Sequence, residues 1–210
     1  MNRWINHLIF CAVCVAASSV ALVAGLATPR EHTVSQLIEC LKDPDESVRA
    51  QARFRLMLLG DSALFDVLEV LDGDNELARR EAVFFISNCR TRRADAAVPA
   101  LIRLLDEDDG DLQRGVIEAL ASLGPRAQAA APKLRIILKE KRKFVADNIS
   151  PISQRPFRFV PNALVRIQGI DSLPILLEQL NDPDVSVEVV DAIGMLGPAA
   201  RETRTRPRSS

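Results

Sequence analysis

Aromatic residues are scarce in this 210-residue chain: they make up 4% of it, Tyr is absent, and Trp4 is the only tryptophan. Hydrophobic residues still reach 48%, so a sizeable core has to be assembled from Leu, Val, Ile and Ala, which suits close helix-on-helix packing. Histidine is nearly missing as well; the two residues are His7 and His32, the second in a linker beside an apolar run. Nucleophile–base catalysis needs a His, Lys or paired carboxylate held beside the nucleophile. The chain offers no Cys-His or Ser-His-Asp pattern and no Gly-rich phosphate loop, so catalytic residues and cofactors are not expected. An excess of one charge is also lacking. The 27 basic and 28 acidic residues leave a net charge of −1, which gives no global attraction to nucleic acid.

The four cysteines divide into two pairs. Cys11 and Cys14 have redox-like spacing but lie inside an uncharged run, and Phe10 and Val13 are poor neighbours for lipid attachment. Cys40 and Cys89 fall at core-facing helical positions and are expected as buried free thiols, with a disulfide between neighbouring repeats as the weaker alternative. The acidic stretch Asp106–Asp111 suggests a metal, but counting from Asp106 puts Gly110 at position five and Ile117 at position twelve. That breaks the calcium-loop pattern, and no metal site is expected. The acids fit an inter-helix turn that caps the following helix.

Leu8–Ala27 is a stretch of twenty residues without a charge, closed by Thr28-Pro29-Arg30-Glu31. As a helix it is about 30 Å long, the thickness of a bilayer's hydrocarbon core. It is long for a signal-peptide core, yet Gly25-Leu26-Ala27 places small residues where a signal peptidase cuts. Residues 1–29 are therefore expected as an uncleaved membrane anchor or a cleaved signal. Arg3 and the N-terminal amine favour the cytoplasmic side, so both readings export residues 30–210, either anchored facing the periplasm or exterior, or secreted.

From residue 33 onward a helical unit recurs. Four first helices end on similar leucine-rich stretches and acidic turns: Leu37–Leu41 before Asp43-Pro44-Asp45, Leu68–Leu71 before Asp72-Gly73-Asp74, Leu101–Leu105 before Asp106-Glu107-Asp108, and Leu176–Leu180 before Asn181-Asp182-Pro183-Asp184. In the first three units the second helix carries one stripe: Val48, Ala52, Leu56, Leu59; Ala78, Ala82, Ile86, Cys89; and Leu112, Val116, Leu120, Leu123. These offsets place one face of a helix against a core. In the last unit the turn is shorter, and Val185, Val189, Ile193 and Leu196 give the stripe that keeps Asp191 outside. Asp43-Pro44-Asp45-Glu46 predicts an N-cap at Asp43, a proline at the first helical position and a capping-box Glu. Leu59-Gly60, Leu123-Gly124-Pro125 and Leu196-Gly197-Pro198 predict glycine-terminated helices.

A further unit is interrupted. Ala129–Leu134 parallels Ala96–Leu101, and Val160–Gly169 parallels Val116–Gly124. Residues 140–159 stand between these halves where other units have a short turn. Five helix pairs result, and a repeat of 20–50 residues implies a solenoid.

Leu41-Lys42-Asp43-Pro44-Asp45-Glu46-Ser47-Val48-Arg49-Ala50-Gln51-Ala52 resembles HEAT repeats, especially the short kind also found in phycobilisome-lyase-like proteins. So does Val98–Leu105 taken with Ala119-Leu120-Ala121-Ser122-Leu123-Gly124. The resemblance covers about residues 33–199. It implies an all-α, right-handed α-solenoid of about five helix pairs that acts as a protein-binding scaffold, with the second helices lining its concave face. A lyase-like or chaperone-like protein handling a tetrapyrrole or pigment protein is the alternative implied. The Arg of the repeat pattern is kept at Arg49 and Arg79 but replaced by Gln113 and Ser186.

Two groups of residues are expected to meet a partner. The first is Arg49, Arg53, Arg79 and Arg80 on the second helices, a basic face whose bland reading is a solvated one partly neutralised by Glu46, Glu76 and Glu81. The second is the insertion, with Lys141, Arg142, Phe144, Arg155, Phe157, Arg158 and Phe159, where Pro151, Pro156 and Pro161 deny a long helix. Its alternative role is to patch the groove between the third and fifth units. Asn148-Ile149-Ser150 is formally a glycosylation sequon. Residues 200–210 carry no apolar stripe and are expected to be disordered.

Overall fold

The computed structural model describes residues 33–89, 91–140 and 156–197. The 1–29 segment, most of the 140–159 insertion and the 200–210 tail therefore lie outside the described residues. Among those described, no helix is long and apolar enough to cross a membrane.

Every regular element among the described residues is helical, and the α-helices fall into five consecutive pairs: α1 (Val34–Cys40) with α2 (Glu46–Leu59), α3 (Asp61–Leu71) with α4 (Glu76–Asn88), α5 (Val98–Leu104) with α6 (Gly110–Leu123), α7 (Ala131–Lys139) with α8 (Val160–Gln168), and α9 (Leu173–Glu178) with α10 (Ser186–Leu196). Short 3₁₀ segments, Arg92–Ala97, Gly124–Ala130 and Gly169–Ser172, lead into α5, α7 and α9. The connections within most pairs are short, which makes the partners antiparallel. Each second helix packs on the next, α2 on α4, α4 on α6, α6 on α8 and α8 on α10. The result is a solenoid-like stack with one continuous buried layer.

The predicted stripes form that layer. Leu112, Val116, Leu120 and Leu123 are all buried, as are Ala78, Ala82 and Ile86. Val185 and Val189 are fully buried, Ile193 and Leu196 pack partly against the core, and Asp191 faces solvent. Cys40 and Cys89 are half-buried rather than fully buried, at the edge of the core, and Cys89 is a free thiol. Burial pushes the Cys89 thiol above its ordinary range, the Thr91 backbone opposing it. In the first unit the stripe ends differently: Ala52 and Leu56 are buried, but Leu59 is 40% exposed.

The helix entry at Asp43-Pro44-Asp45 differs from the sequence expectation. The N-cap of α2 is Asp45, not Asp43, and Pro44 lies before the helix. Asp43 Oδ1 accepts the Asp45 N–H at 2.8 Å, closing an Asx turn around the proline, and Asp45 Oδ1 accepts the Ser47 N–H at 2.8 Å. Proline lacks an N–H, so the first amide a side chain can capture after Asp43 is that of Asp45. The same turn recurs at Asp182-Pro183-Asp184, where Asp182 Oδ1 accepts the Asp184 N–H at 3.0 Å. Repeated Asp-Pro-Asp is thus a pre-helix turn.

The glycine exits behave as expected. Gly60, Gly124, Gly169 and Gly197 all have φ between 53 and 59°, with ψ between −119 and −141°. A Cβ is disfavoured in that region, so each helix stops where its glycine stands. At Gly124 an added Cβ would make only ordinary contact, 3.5 Å from the Arg166 carbonyl oxygen, so strain there is conformational. Gly124→Ala should therefore lower unfolding free energy by about 1–3 kcal/mol. Gly194, inside α10 with open space around it, gives the opposite sign: Gly194→Ala should add about 0.5–1 kcal/mol. Urea midpoints at unchanged m-value measure both.

Candidate functional site: the second-helix face and its α6–α8 groove

The candidate arginines on α2 and α4 lie at the junctions between units. Glu81, only 7% exposed, accepts from Arg49 Nε at 3.3 Å and from Arg53 Nη1 at 2.5 Å, so one α4 carboxylate holds two α2 guanidinium groups. Arg49 also donates to the Asp43 and Pro44 carbonyls at 2.8 and 2.9 Å and pairs with Glu46. Arg53 stacks 4.3 Å from the centre of the Phe84 ring. Arg79 pairs with Glu107, and Arg80 with Asp109 at 2.7 Å. Further junctions are bridged by Arg103–Asp72 at 2.6 Å, Lys133–Asp106, Lys139–Glu178 at 3.1 Å and Arg158–Glu188. Cations of one unit thus meet acids of its neighbour along the whole stack.

The loss of Arg at the third unit has a structural counterpart. Gln113, 5% exposed, donates from Nε2 to the Leu105 and Glu107 carbonyls at 3.3 and 2.7 Å. Arg49 takes the Asp43 carbonyl, the counterpart of Glu107, together with the Pro44 carbonyl next to it. An amide does that part of the work without the charge.

Of the insertion's candidates, Lys141, Arg142, Phe144 and Arg155 lie outside the described residues. Phe157 is fully buried, in a short 3₁₀ turn (Pro156–Phe159) that packs on α6. Its ring serves the core, as the packing reading of the insertion expects. Arg158 is committed to Glu188. Phe159 is half-buried, with Arg114 6.0 Å from its ring centre.

Phe159 leads to an open groove of about 260 Å³ between α6 and α8. Ile117, Ala121, Ala163 and Phe159 line it with apolar surface; Glu118, Ser122, Asn162 and Arg166 supply polar groups. Asn162 Oδ1 is buried without a donor, and beside Phe159 the Arg114 Nε is buried without an acceptor. Buried polar atoms of this kind are costly unless something completes them. Sequence reasoning did not single out Asn162, Arg166, Glu118 or Arg114. The signal for the first three was present: Asn162 and Arg166 are four apart on α8, and the Val116–Val160 correspondence places them opposite Glu118 and Ser122 of α6. Among the described residues no group of His, Cys, Asp and Glu could hold a metal ion.

With this geometry in place, the comparisons identify the class. Residues 66–148 match the family model of HEAT repeats, the family that the sequence resembles. No curated protein matches it significantly. Among solved structures it is similar to the complex of CpcE and CpcF of phycocyanin lyase from Nostoc sp. PCC7120, at 23% identity and a TM-score of 0.61, over 81% of this chain and 68% of that one. It is also similar to an engineered protein at 19% identity and a TM-score of 0.50, over 78% of each chain. At these identities the likeness is one of fold.

Two predictions follow from the junction chemistry. Glu81→Ala strands Arg49 and Arg53 in a half-buried junction and should cost about 2–3 kcal/mol, whereas Asp72→Ala, at an exposed pair, should cost no more than about 0.5 kcal/mol. Chemical denaturation of both variants tests the contrast. The second concerns Asp109. Burial pushes its carboxyl up, but the Leu112 N–H, the Arg80 guanidinium and the Asp111 N–H together outweigh this and hold it below the usual carboxylate range. A depressed folded-state value stabilises above the unfolded value and is lost as pH falls through the folded one. The stability advantage of the native chain over Asp109→Asn should be flat above about pH 5 and shrink below about pH 4. Urea titrations across that range would show it.

Proposed function

We propose that this chain is a non-catalytic protein-binding scaffold, exported and tethered to or released from a membrane by its first 29 residues. Its partner is a protein that lies along the second-helix face of a right-handed solenoid and engages the 140–159 insertion. The observation that carries this reading is the α6–α8 groove: an apolar floor, the unpaired Asn162 Oδ1 and Arg114 Nε, and the exposed Arg166 converge beside Phe159, where the insertion rejoins the solenoid. An extended polypeptide brings both an N–H and a C=O to such a place at every residue, together with side chains for the apolar floor. Arg49, Arg53, Arg79 and Arg80 spend much of their hydrogen-bonding capacity within the stack. Their role in this reading is therefore to fix the curvature of the surface that a partner meets.

A second reading takes its support from the fold likeness to a phycocyanin lyase complex. In it the chain handles a tetrapyrrole or a pigment protein, as a chaperone or lyase-like factor. The two readings separate in one experiment. Cells carrying the full chain or a version lacking residues 140–159 are fractionated and crosslinked, and bound material is recovered. The scaffold reading expects membrane or exported fractions, a specific protein partner, and loss of that partner on deletion. Visible absorption of the recovered complex reports a bound tetrapyrrole and would favour the second reading. Retention of every partner by the deletion removes the insertion from the site, and a chain confined to the cytoplasm ends the export reading.

A further inference from the structure

The second helix of the first unit carries a cluster of exposed apolar side chains. α1 has seven residues and α2 has fourteen, so α1 runs alongside only about half of the roughly 20 Å length of α2. The connection from Leu41 to Asp45 is short, so α1 covers the N-terminal half of α2. In the C-terminal half Leu56 stays fully buried, but several apolar side chains around it are exposed. Leu59 lies on the core stripe yet is 40% exposed, whereas its counterpart Leu123 is 3% exposed. Beside it Leu58 is 73% exposed, Phe54 62% and Met57 38%.

Phe54 occupies in α2 the place that Phe84 occupies in α4; Phe84, 44% exposed, has Arg53 of the preceding unit stacked on its ring, and Phe54 is 62% exposed. No unit among the described residues precedes Phe54. Gln51 correspondingly stands where Glu81 makes its junction pairs, so this end lacks the charge with which the stack continues elsewhere. At the edge of the shelf Arg55 is exposed and has no acidic partner among the described residues.

What lies next to this shelf is fixed by chain connectivity. Because α1 is antiparallel to α2 and half as long, Thr33 enters beside the middle of α2, on the side that leads toward Leu58 and Leu59. The uncharged run Leu8–Ala27 stops six residues before Thr33, a reach of at most about 20 Å. We propose that the Phe54–Leu58–Leu59 shelf is a bilayer contact, resting the N-terminal end of the solenoid on the lipid surface into which the 8–27 run inserts. The aliphatic and aromatic side chains enter the interfacial layer and Arg55 meets lipid phosphate. The solenoid then stands end-on to the membrane, with the α6–α8 groove held away from it. This inference rests on the tethered form of the proposed function.

The only native tryptophan, Trp4, makes the two separable. Full-length protein is reconstituted into phosphatidylcholine–phosphatidylglycerol vesicles with or without brominated acyl chains. In the native chain Trp4 emission reports the tether. In a Trp4→Phe background, Leu58→Trp reports the shelf and Val190→Trp, at the exposed far end on α10, serves as control. The inference expects emission from position 58 to fall about two-fold in brominated vesicles, as for an interfacial aromatic, and position 190 to be unaffected. Quenching of Trp4 with none at position 58 overturns the shelf contact and leaves the tether standing. A blue-shifted but unquenched position 58 shows the shelf covered by protein, from this chain or a second copy, and also overturns it. If Trp4 is unquenched and the protein leaves the vesicles, the tethered reading fails first.

Discussion

Side-by-side stacking of the second helices is the constraint on which the rest of this structure depends. A single helix pair of this size buries too little surface to hold itself together, and each pair here completes its core only by packing on its neighbours. Along the stack this shows as one uninterrupted buried layer running from Leu37 to Ala192. Small residues make the close approach: Ala78 and Ala82 are buried in α4, and at Gly115 of α6 an added Cβ would come within 3.3 Å of Val83. With so few rings available, the packing is aliphatic and regular. The aromatic exceptions, Phe85 and Phe157, are both fully buried. One of them, Phe157, sits where the repeat is broken by its insertion.

Charge follows from the same constraint. Stacking brings the flank of each second helix against the next unit, and an unmatched charge there would be desolvated without return. The chain meets this with pairs such as Arg49 and Arg53 on Glu81, and Arg158 on Glu188. More exposed pairs, Arg103–Asp72 among them, add little to stability individually. A neutral total charge is therefore compatible with a locally basic set of helices: the acids that balance them lie one unit further on.

The fold was legible because periodicity, turn chemistry and glycine exits all report the same unit. The stripes at Ala52–Leu56, Ala78–Ile86 and Leu112–Leu123 placed the core, and Gly60, Gly124 and Gly197 placed the helix ends. The helix start at Asp43 was misplaced by two residues because Asp43 and Asp45 are both good caps by composition; only the geometry of the proline between them decides. The site was much less legible. Arg49, Arg53, Arg79 and Arg80 look alike as a basic face, and nothing in their local sequence shows that their partners lie 28–32 residues away. Asn162 and Arg166 escaped notice for the converse reason. Each is an ordinary surface residue on its own helix and becomes part of a groove only when α6 supplies Glu118 and Ser122 opposite.

The two candidate surfaces lie where the repeat departs from its pattern. Along the regular stack most polar side chains are used in capping and bridging, although Arg79 Nε and Glu188 Oε2 are buried there without partners. The departures add their own unsatisfied surface. At the fourth unit the long insertion brings Phe159 to the rim of a groove containing Asn162 Oδ1, next to the orphaned Arg114 Nε. At the first unit Leu58 and Leu59 are exposed on α2. Both departures carry a cost in a free, isolated chain, the first as unpaired buried polar atoms and the second as exposed apolar area. The two costs differ in chemistry, and so must the surfaces that relieve them. Peptide amides suit the groove and an apolar layer suits the shelf, which is the arrangement expected of a scaffold held at one end and presenting its side to a partner.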